Sequence, residues 1–593
     1  MSLRIAALIK QIPAFEAMTL GADGRLVREG LELEMSAYCR RAVAQAVALA
    51  VEHGGSVSVI TLGPPSAEDC LREAIAWGRD RDVDIWGIHV TDALFVGSDT
   101  LATARALAAA INRVGPFDLI LAGRNSVDAD TGQVGPELAQ LLDLPFVTTA
   151  RHLALTDGVA DIRSEHDDGW AQVRVTLPVV VSTAERLIEP CKVDPIGRAA
   201  VSSDRIRRIT ATDLGPGPWG ADASPTTVGA TRVIEASRLQ RRDPSLPLVE
   251  QVRIAVEFLA ERGACNRGTE DLDDTDTGTV AELGPIDAPI IGVIVEPDRA
   301  LLTRELLGAA AALGGAGVAL TNAPGDADEL GSWGADEIVE LEGITLANEQ
   351  DTAAAISLWA RVFDPWAILA PSTAWGREVA ARIAAELGTG LTGDAIELDR
   401  DGDALLAWKP AFGGQIVAEI RCRTQPQMAT IRAGVLARRT PRIHTAPVTV
   451  MPATALSRVE ILARTRDDDL DLLADAHAVV AVGQGIDPSH YPSLDPLLAV
   501  LDGQLAATRK VTDQGWMPRA RQIGITGRSI APRLVVSIGA NGKFNHTIGF
   551  RTAGTVLAIN TEPTAPIFDA ADIGIIGDYR EVLPLLTAAL STT

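Results

Sequence analysis

Residues Gln522 to Tyr579 read QIGITGRSIAPRLVVSIGANGKFNHTIGFRTAGTVLAINTEPTAPIFDAADIGIIGDY. Ile523 to Arg528 is a glycine-bearing turn with one hydroxyl, Thr526. Arg533 to Ile538 predicts an apolar strand that runs directly into Gly539-Ala540-Asn541-Gly542, where backbone N–H groups can approach an anion with no Cβ in the way. His546 follows. A second strand, Thr555 to Ile559, ends in Asn560, and open α/β sheets hold ligands at the carboxyl ends of their strands. The stretch has no GxGxxG, so on its residues alone a nucleotide site and a plain sheet edge with Gly turns both stand.

Around this stretch lies a chain of 593 residues, room for about three to four domains, with 47% hydrophobic residues for their cores. A net charge of −25 argues against a nucleic-acid partner and against an anionic membrane surface. The five cysteines (Cys39, Cys70, Cys191, Cys265, Cys422) are scattered and odd in number, so neither a disulfide framework nor a metal site is predicted, and a reducing compartment fits. Lys10 and Gln11 end the first apolar run too early for a signal peptide. No run approaches the ~18 apolar residues of a membrane span. A cytoplasmic protein that is not itself a membrane protein is expected.

From the N-terminus, strands are predicted at Leu3–Ile9, Val57–Leu62, Asp84–Val90 and Phe117–Ala122. Helices are predicted at Ser36–Glu52, from a Ser66 cap to about Gly78, and at Asp99–Arg113. That alternation implies parallel βαβ units. After the fourth strand comes Gly123-Arg124-Asn125-Ser126-Val127-Asp128-Ala129-Asp130-Thr131-Gly132-Gln133-Val134-Gly135-Pro136 and a helix to Leu142. A polar glycine loop entering a helix N-terminus suits an anion, while Asp128 and Asp130 also suit a solvated acidic loop. His152–Val181 reads as antiparallel hairpins, Val249–Glu261 as a helix, and the acidic Gly268–Gly284 as a flexible linker. The plan then repeats from Pro289: Trp366–Ala370 matches Asp118–Ala122 in pattern, which fits two related α/β domains. Arg438–Leu472 reads as a crossover.

Several segments carry a resemblance. Ala506-Ala507-Thr508-Arg509, Gly524-Ile525-Thr526-Gly527-Arg528, Gly539 through His546, and Ala558 through Phe568 are similar, without a gap from Arg509 to Asp578, to the FAD-binding domain of the electron transfer flavoprotein α subunit. Gly376–Arg382, Gly388–Asp394, Pro410–Gly414 and Pro426–Val435 resemble that subunit's N-terminal domain. Ile9–Pro13, Gly63–Pro65, the 123–136 loop and the Pro216–Gly229 arm resemble the β subunit.

The resemblance implies an α/β protein of three open parallel-sheet nucleotide-binding-like domains. The expected division is a β-like domain at 1–235, an arm, helix and acidic linker at 236–285, an α-like N-terminal domain at 286–455 and an FAD domain at 456–593. It implies a pseudo-heterodimer in one chain, an electron carrier between a flavin or other dehydrogenase and a quinone oxidoreductase or similar acceptor. In the FAD domain it implies Arg509 over the flavin ring, Thr526 near N5 and His546 facing O2, where the reduced ring collects negative charge. Gln484, Thr508, Gln522, Gly524, Gly527, Gly539, Asn541, Gly542, Asn560, Thr561 and Asp578 complete the implied FAD set. A second nucleotide is implied on Leu8, Lys10, Ser36, Leu62, Gly123, Asn125, Asp128, Thr131, Gly132, Gln133 and Val134. It is AMP in most of the family and a second FAD in the electron-bifurcating branch, whose members oxidise NADH. A nucleotide-binding scaffold without redox function is the third reading. Gln484, Ile525 and Asn541 stand where the family carries Arg, Gln and Ser, which implies a lowered flavin potential. Cys191–Arg198 replaces the loop by which the β subunit grips acyl-CoA dehydrogenases, so that class of partner is not expected.

Overall fold

A computed structural model describes residues 2–13, 32–126, 129–167, 169–233, 238–265, 279–285, 287–323, 325, 327–411, 416–466, 473, 476–524, 527–528, 530–551 and 553–591. The chain divides into two compact units, the first Met1–Val233 with Asp276–Thr465, the second Ile234–Thr275 with Arg466–Thr593.

Unit 1 begins with β1 (Arg4–Leu8), α1 (Ala37–His53), β2 (Ser56–Leu62), α2 (Glu68–Arg79), β3 (Asp84–Val90), α3 (Thr100–Val114), β4 (Leu119–Gly123) and α4 (Val134–Leu141). The strands pair in parallel in the order β3-β2-β1-β4. They are near-continuous apolar runs because helices cover both faces. α1 stops where Gly54 takes φ +66° and its N–H bonds Ala50 O. Asp99 caps α3 by accepting from Ala102 N. Ser66 does not cap α2: a 3-10 turn over Pro65–Ala67 intervenes, and the Ser66 hydroxyl donates to Gln11 Oε1 at 2.8 Å.

β5 (Phe146–Thr156), β6 (Val159–Glu165) and β7 (Gly169–Thr176) form the expected antiparallel meander. The next strand departs from it. β8 (Val179–Thr183) is wholly buried and lies parallel between β4 and β5, since a fully apolar run seeks the middle of a sheet. β9 (Ile206–Ile209) edges β3. The Pro216–Gly229 arm leads into β10 (Thr226–Val233).

The second half of unit 1 repeats the plan with β11 (Ile290–Ile294), α6 (Ala300–Ala312), β12 (Ala316–Thr321), β13 (Glu337–Glu342), α7 (Glu349–Phe363), β14 (Ala367–Pro371) and α8 (Ala374–Leu387). β15 (Leu391–Ala395), β16 (Glu397–Asp401), β17 (Ala404–Ala411), β18 (Ile416–Cys422) and β19 (Gln427–Ile431) follow. Its sheet also takes β20 (Val448–Pro452), in the order β15-β19-β14-β11-β12-β13-β20. A smaller antiparallel sheet has the order β10-β18-β17-β16, so the arm adds a strand to the second half. β21 (Val459–Arg466) joins the far edge of the first sheet beside β7. The predicted crossover thus carries two strands. Part of the segment expected as a linker is built into the fold. Residues 268–278 lie outside the described residues, but Ala281 is fully buried, Thr440 N donates to Thr279 O at 3.0 Å, and Gly284 N donates to Asp336 Oδ2 at 3.2 Å.

Unit 2 is a parallel sheet of β22 (Ala478–Val482), β23 (Gln504–Ala507), β24 (Leu534–Ile538), β25 (Thr555–Asn560) and β26 (Ile573–Ile576), in the order β23-β22-β24-β25-β26. Its helix α9 (Asp495–Leu501) precedes β23. A distant segment of the chain is built into the sheet. Arg241 bridges Ile573, Arg238 pairs with buried Asp572 at 2.7 Å, and α5 (Leu248–Glu261) packs with α10 (Tyr579–Leu590) in one apolar cluster.

Candidate functional site

In unit 2 every strand is parallel, so the loops after all five leave from one edge. Strand order reverses between β22 and β24, and a ligand crevice forms at such a switch point. The two loops there interlock: Gly483 N donates to Ile538 O at 2.8 Å and Gly485 N to Gly539 O at 3.0 Å. A Cβ on Gly483 would stand 2.2 Å from Gly539 O, so only glycine permits this approach. Gly542, at φ +87°, is equally constrained by Ile567 N at 2.1 Å from its would-be Cβ.

The predicted residues gather along this edge with different duties. Gln484 and Asn541 are exposed on the interlocked loops, and Asn541 O accepts from Ile567 N. Thr508 N bonds Val482 O, and Arg509 next to it pairs with Asp513 at 3.2 Å, about half exposed. Gln522 is fully buried and its Oε1 accepts from Thr512 Oγ1 at 2.7 Å. Gly524 and Gly527 close a tight turn through Gly527 N to Gly524 O, while Ile525 and Thr526 lie outside the described residues. Asn560 ties the loop after β25 to the loop after β24, accepting from Glu562 N and donating to Ala540 O, both at 2.9 Å. Thr561 is exposed. Asp578 caps α10, and its bonds with Arg580 hold its carboxyl down at about 2.

His546 is the most informative of the set. It is only 7% exposed. Its Nδ1 lies 3.2 Å from Ile523 O, which accepts and so places the proton on Nδ1. Phe550 meets the ring edge-on at 5.2 Å. Burial pushes the imidazole down to about 4, and Nε2 is buried with no hydrogen-bond partner among the described residues. An orphaned buried nitrogen in the segment that follows the glycine-lined strand-end loop fits a polar ring with phosphates attached.

A second arrangement sits at the carboxyl edge of the first sheet in unit 1. Ser36 N donates to Lys10 O, and Lys10 Nζ reaches Ser126 Oγ at 3.1 Å. Leu8 and Leu62 end β1 and β2, and Gly123 admits α1 so closely that a Cβ would sit 3.1 Å from Cys39 N. Ser36 is fully buried beside Cys39, and Asn125 bonds Asp130 through Nδ2, while among the described residues its Oδ1 has no hydrogen-bond partner. Asp128 lies outside the described residues. Gly132 takes φ +65°. The Gln133 side chain, 2% exposed, accepts from Thr100 Oγ1 at 2.9 Å and donates to Leu391 O at 3.3 Å, so it pins structure rather than facing a ligand. Val134 opens α4. Beside the loop lies an open cleft lined by Arg124, Asn125, Thr131, Gly132, Thr149 and Arg377 among others. Thr149 holds φ +47° next to a register shift between β5 and β8, an uncommon conformation for a β-branched residue. Arg124 makes no hydrogen bond or ion pair among the described residues. The expected set did not include Arg124, Thr149 or Arg377, although Arg124 stands inside the quoted loop.

The profile of the electron transfer flavoprotein domain matches residues 23–214 and again 293–456, and that of the electron transfer flavoprotein FAD-binding domain matches 472–551. The chain belongs to the electron transfer flavoprotein family. The electron transfer flavoprotein subunit alpha of Thermoanaerobacterium thermosaccharolyticum is 36% identical over 269 residues, 44% of this chain and 81% of that protein. Protein FixB of Bradyrhizobium diazoefficiens is 36% identical over 251 residues, 41% of this chain and 68% of that protein. The acryloyl-CoA reductase electron transfer subunit beta of Anaerotignum propionicum is 30% identical over 303 residues, 44% of this chain and 82% of that protein. As an electron transfer flavoprotein the chain carries electrons on FAD bound by unit 2, and FAD supplies the redox chemistry while the protein supplies binding and orientation. Among the described residues no helix is long and apolar enough to cross a membrane.

Proposed function

We propose that the chain is a β-like and an α-like part fused in that order. It takes electrons from a dehydrogenase and passes them to a quinone oxidoreductase or similar acceptor in the cytoplasm. The division at 235, 285 and 455 belongs to this reading. The observation that carries it is buried His546, with Nε2 unspent, beside five strand-end loops that converge on one edge. In this reading Gly539–Gly542 face the diphosphate, and Asn560, Thr561 and Asp578 border the adenosine. Arg509 and the turn from Gln522 through Thr526 to Gly527 border the ring. His546 faces the ring with the nitrogen it has not used.

A second reading has its own support. The first-sheet site runs from Leu62 on β2 to Thr149 on β5, across the order β2-β1-β4-β8-β5. Four strand spacings make roughly 19 Å, longer than a nucleoside monophosphate reaches and suited to a dinucleotide. Arg124 lines the cleft, where its guanidinium, which also favours the Asp167 carboxylate, is placed to meet a second phosphate. On this reading a second FAD occupies the N-terminal half and NADH is its reductant. Release of nucleotides from the denatured protein, quantified by chromatography, tests both. One FAD with one AMP per chain supports the plain carrier, and two FAD support the second reading. Protein that remains colourless with FAD added overturns both.

A further inference from the structure

The loop that opens the N-terminal nucleotide site is held by the other half of unit 1. Lys409 projects from β17 and is only 7% exposed. Its ammonium donates to Ala129 O at 2.6 Å and makes no other hydrogen bond among the described residues. An ammonium buried on one carbonyl is costly unless charges nearby favour it. Asp394 and Asp130 favour it, while burial, Arg432 and Arg377 oppose it, and Arg377 holds Asp394 bidentate at 2.8 and 2.9 Å. Gln133, at the other end of the loop, is fixed to Leu391 O on β15. A Cβ on Gly393 would sit 3.0 Å from Gln133 Nε2, so that neighbour is closely fitted as well.

We infer that the N-terminal nucleotide site is a composite of both halves, with Lys409 as a positioning residue that holds the 129–133 loop in its binding shape. This rests on the reading that the first half binds a nucleotide. Neither Lys409 nor Leu391 lies in the segment that the resemblance assigns to that site. The consequence is directional: damage at Lys409 empties the N-terminal site and leaves the FAD of unit 2 in place.

The test uses the full chain with Lys409→Met and Lys409→Arg. Nucleotide content is measured after denaturation, and affinity for the re-added nucleotide by calorimetry on stripped protein. Removing a charge-assisted hydrogen bond should weaken that nucleotide by roughly tenfold or more, with one FAD per chain retained and Lys409→Arg restoring most of the loss. Thermal unfolding of the stripped Lys409→Met protein should remain one cooperative step at a lower midpoint, because the Ala129 carbonyl loses its donor and Asp130 and Asp394 lose a nearby cation. Retention of the N-terminal nucleotide by Lys409→Met overturns the inference and leaves the nucleotide reading intact. A wild-type protein that releases only one FAD and nothing else overturns that reading and the inference with it. If Lys409→Met loses both nucleotides, Lys409→Gln decides, since it keeps a donor without the charge. Selective loss of the N-terminal nucleotide supports the inference, and any other pattern overturns it.

Discussion

His546 couples stability to pH in the protein stripped of flavin. Its imidazole titrates near 6.5 when unfolded and about 4 when buried. Between those values the unfolded chain binds a proton that the folded chain refuses, so stability falls as pH drops from about 6.5 to about 4. The loss amounts to at most about 3 kcal/mol. His546→Gln should flatten this part of the profile in urea unfolding of the stripped protein followed at several pH values. An unchanged slope would refute the neutral, buried assignment. Arg509 differs in kind. Its pairing with Asp513 is half exposed, so the guanidinium can leave it at little cost.

At the scale of elements, α4 carries the next titratable outlier. Glu137 is buried, its Oε1 accepts from Thr100 Oγ1 at 3.0 Å, and its Oε2 has no hydrogen-bond partner among the described residues. Desolvation, reinforced by Asp99, pushes its carboxyl up to about 8. The folded state therefore keeps a proton that the unfolded state has lost, and stability falls as pH rises from about 4.5 to about 8. Glu137→Gln should remove that fall. Its melting temperature relative to wild type should rise across this window and level off above it. A constant difference from pH 5 to 8 would show that Glu137 is ionised in the fold. Elements with a clear period were legible: α1 was expected at 36–52 and lies at Ala37–His53. β20 was not, because Val448–Pro452 is an exposed edge strand with no alternation to betray it. The strand-end glycines of the candidate site were legible as punctuation. The engagement of Gln133 with Leu391, 258 positions away, was not, because nothing local records a tertiary contact. Lys409 was hidden for the same reason, since a lysine within a strand reads as facing outward.

At the scale of the molecule, the chain passes between its two units three times. Segment 238–265 belongs to unit 2 through Arg238–Asp572 and the contact of Gln251 Oε1 with Ile576 N at 2.8 Å. Protease sites introduced on both sides of it, within 234–237 and within 268–278, should therefore release a fragment that co-elutes with the rest of the chain on size exclusion while FAD is kept. Separation of the fragments would mean that the segment is held by the chain alone. The same path has a consequence during synthesis. α5 leaves the ribosome with Val252, Val256 and Leu259 facing a sheet that does not yet exist. The first strand of that sheet follows roughly two hundred residues later, a wait of about 10–40 s at ordinary elongation rates. Through that interval the nascent chain displays an amphipathic helix whose partner is still untranslated, a natural client for a chaperone.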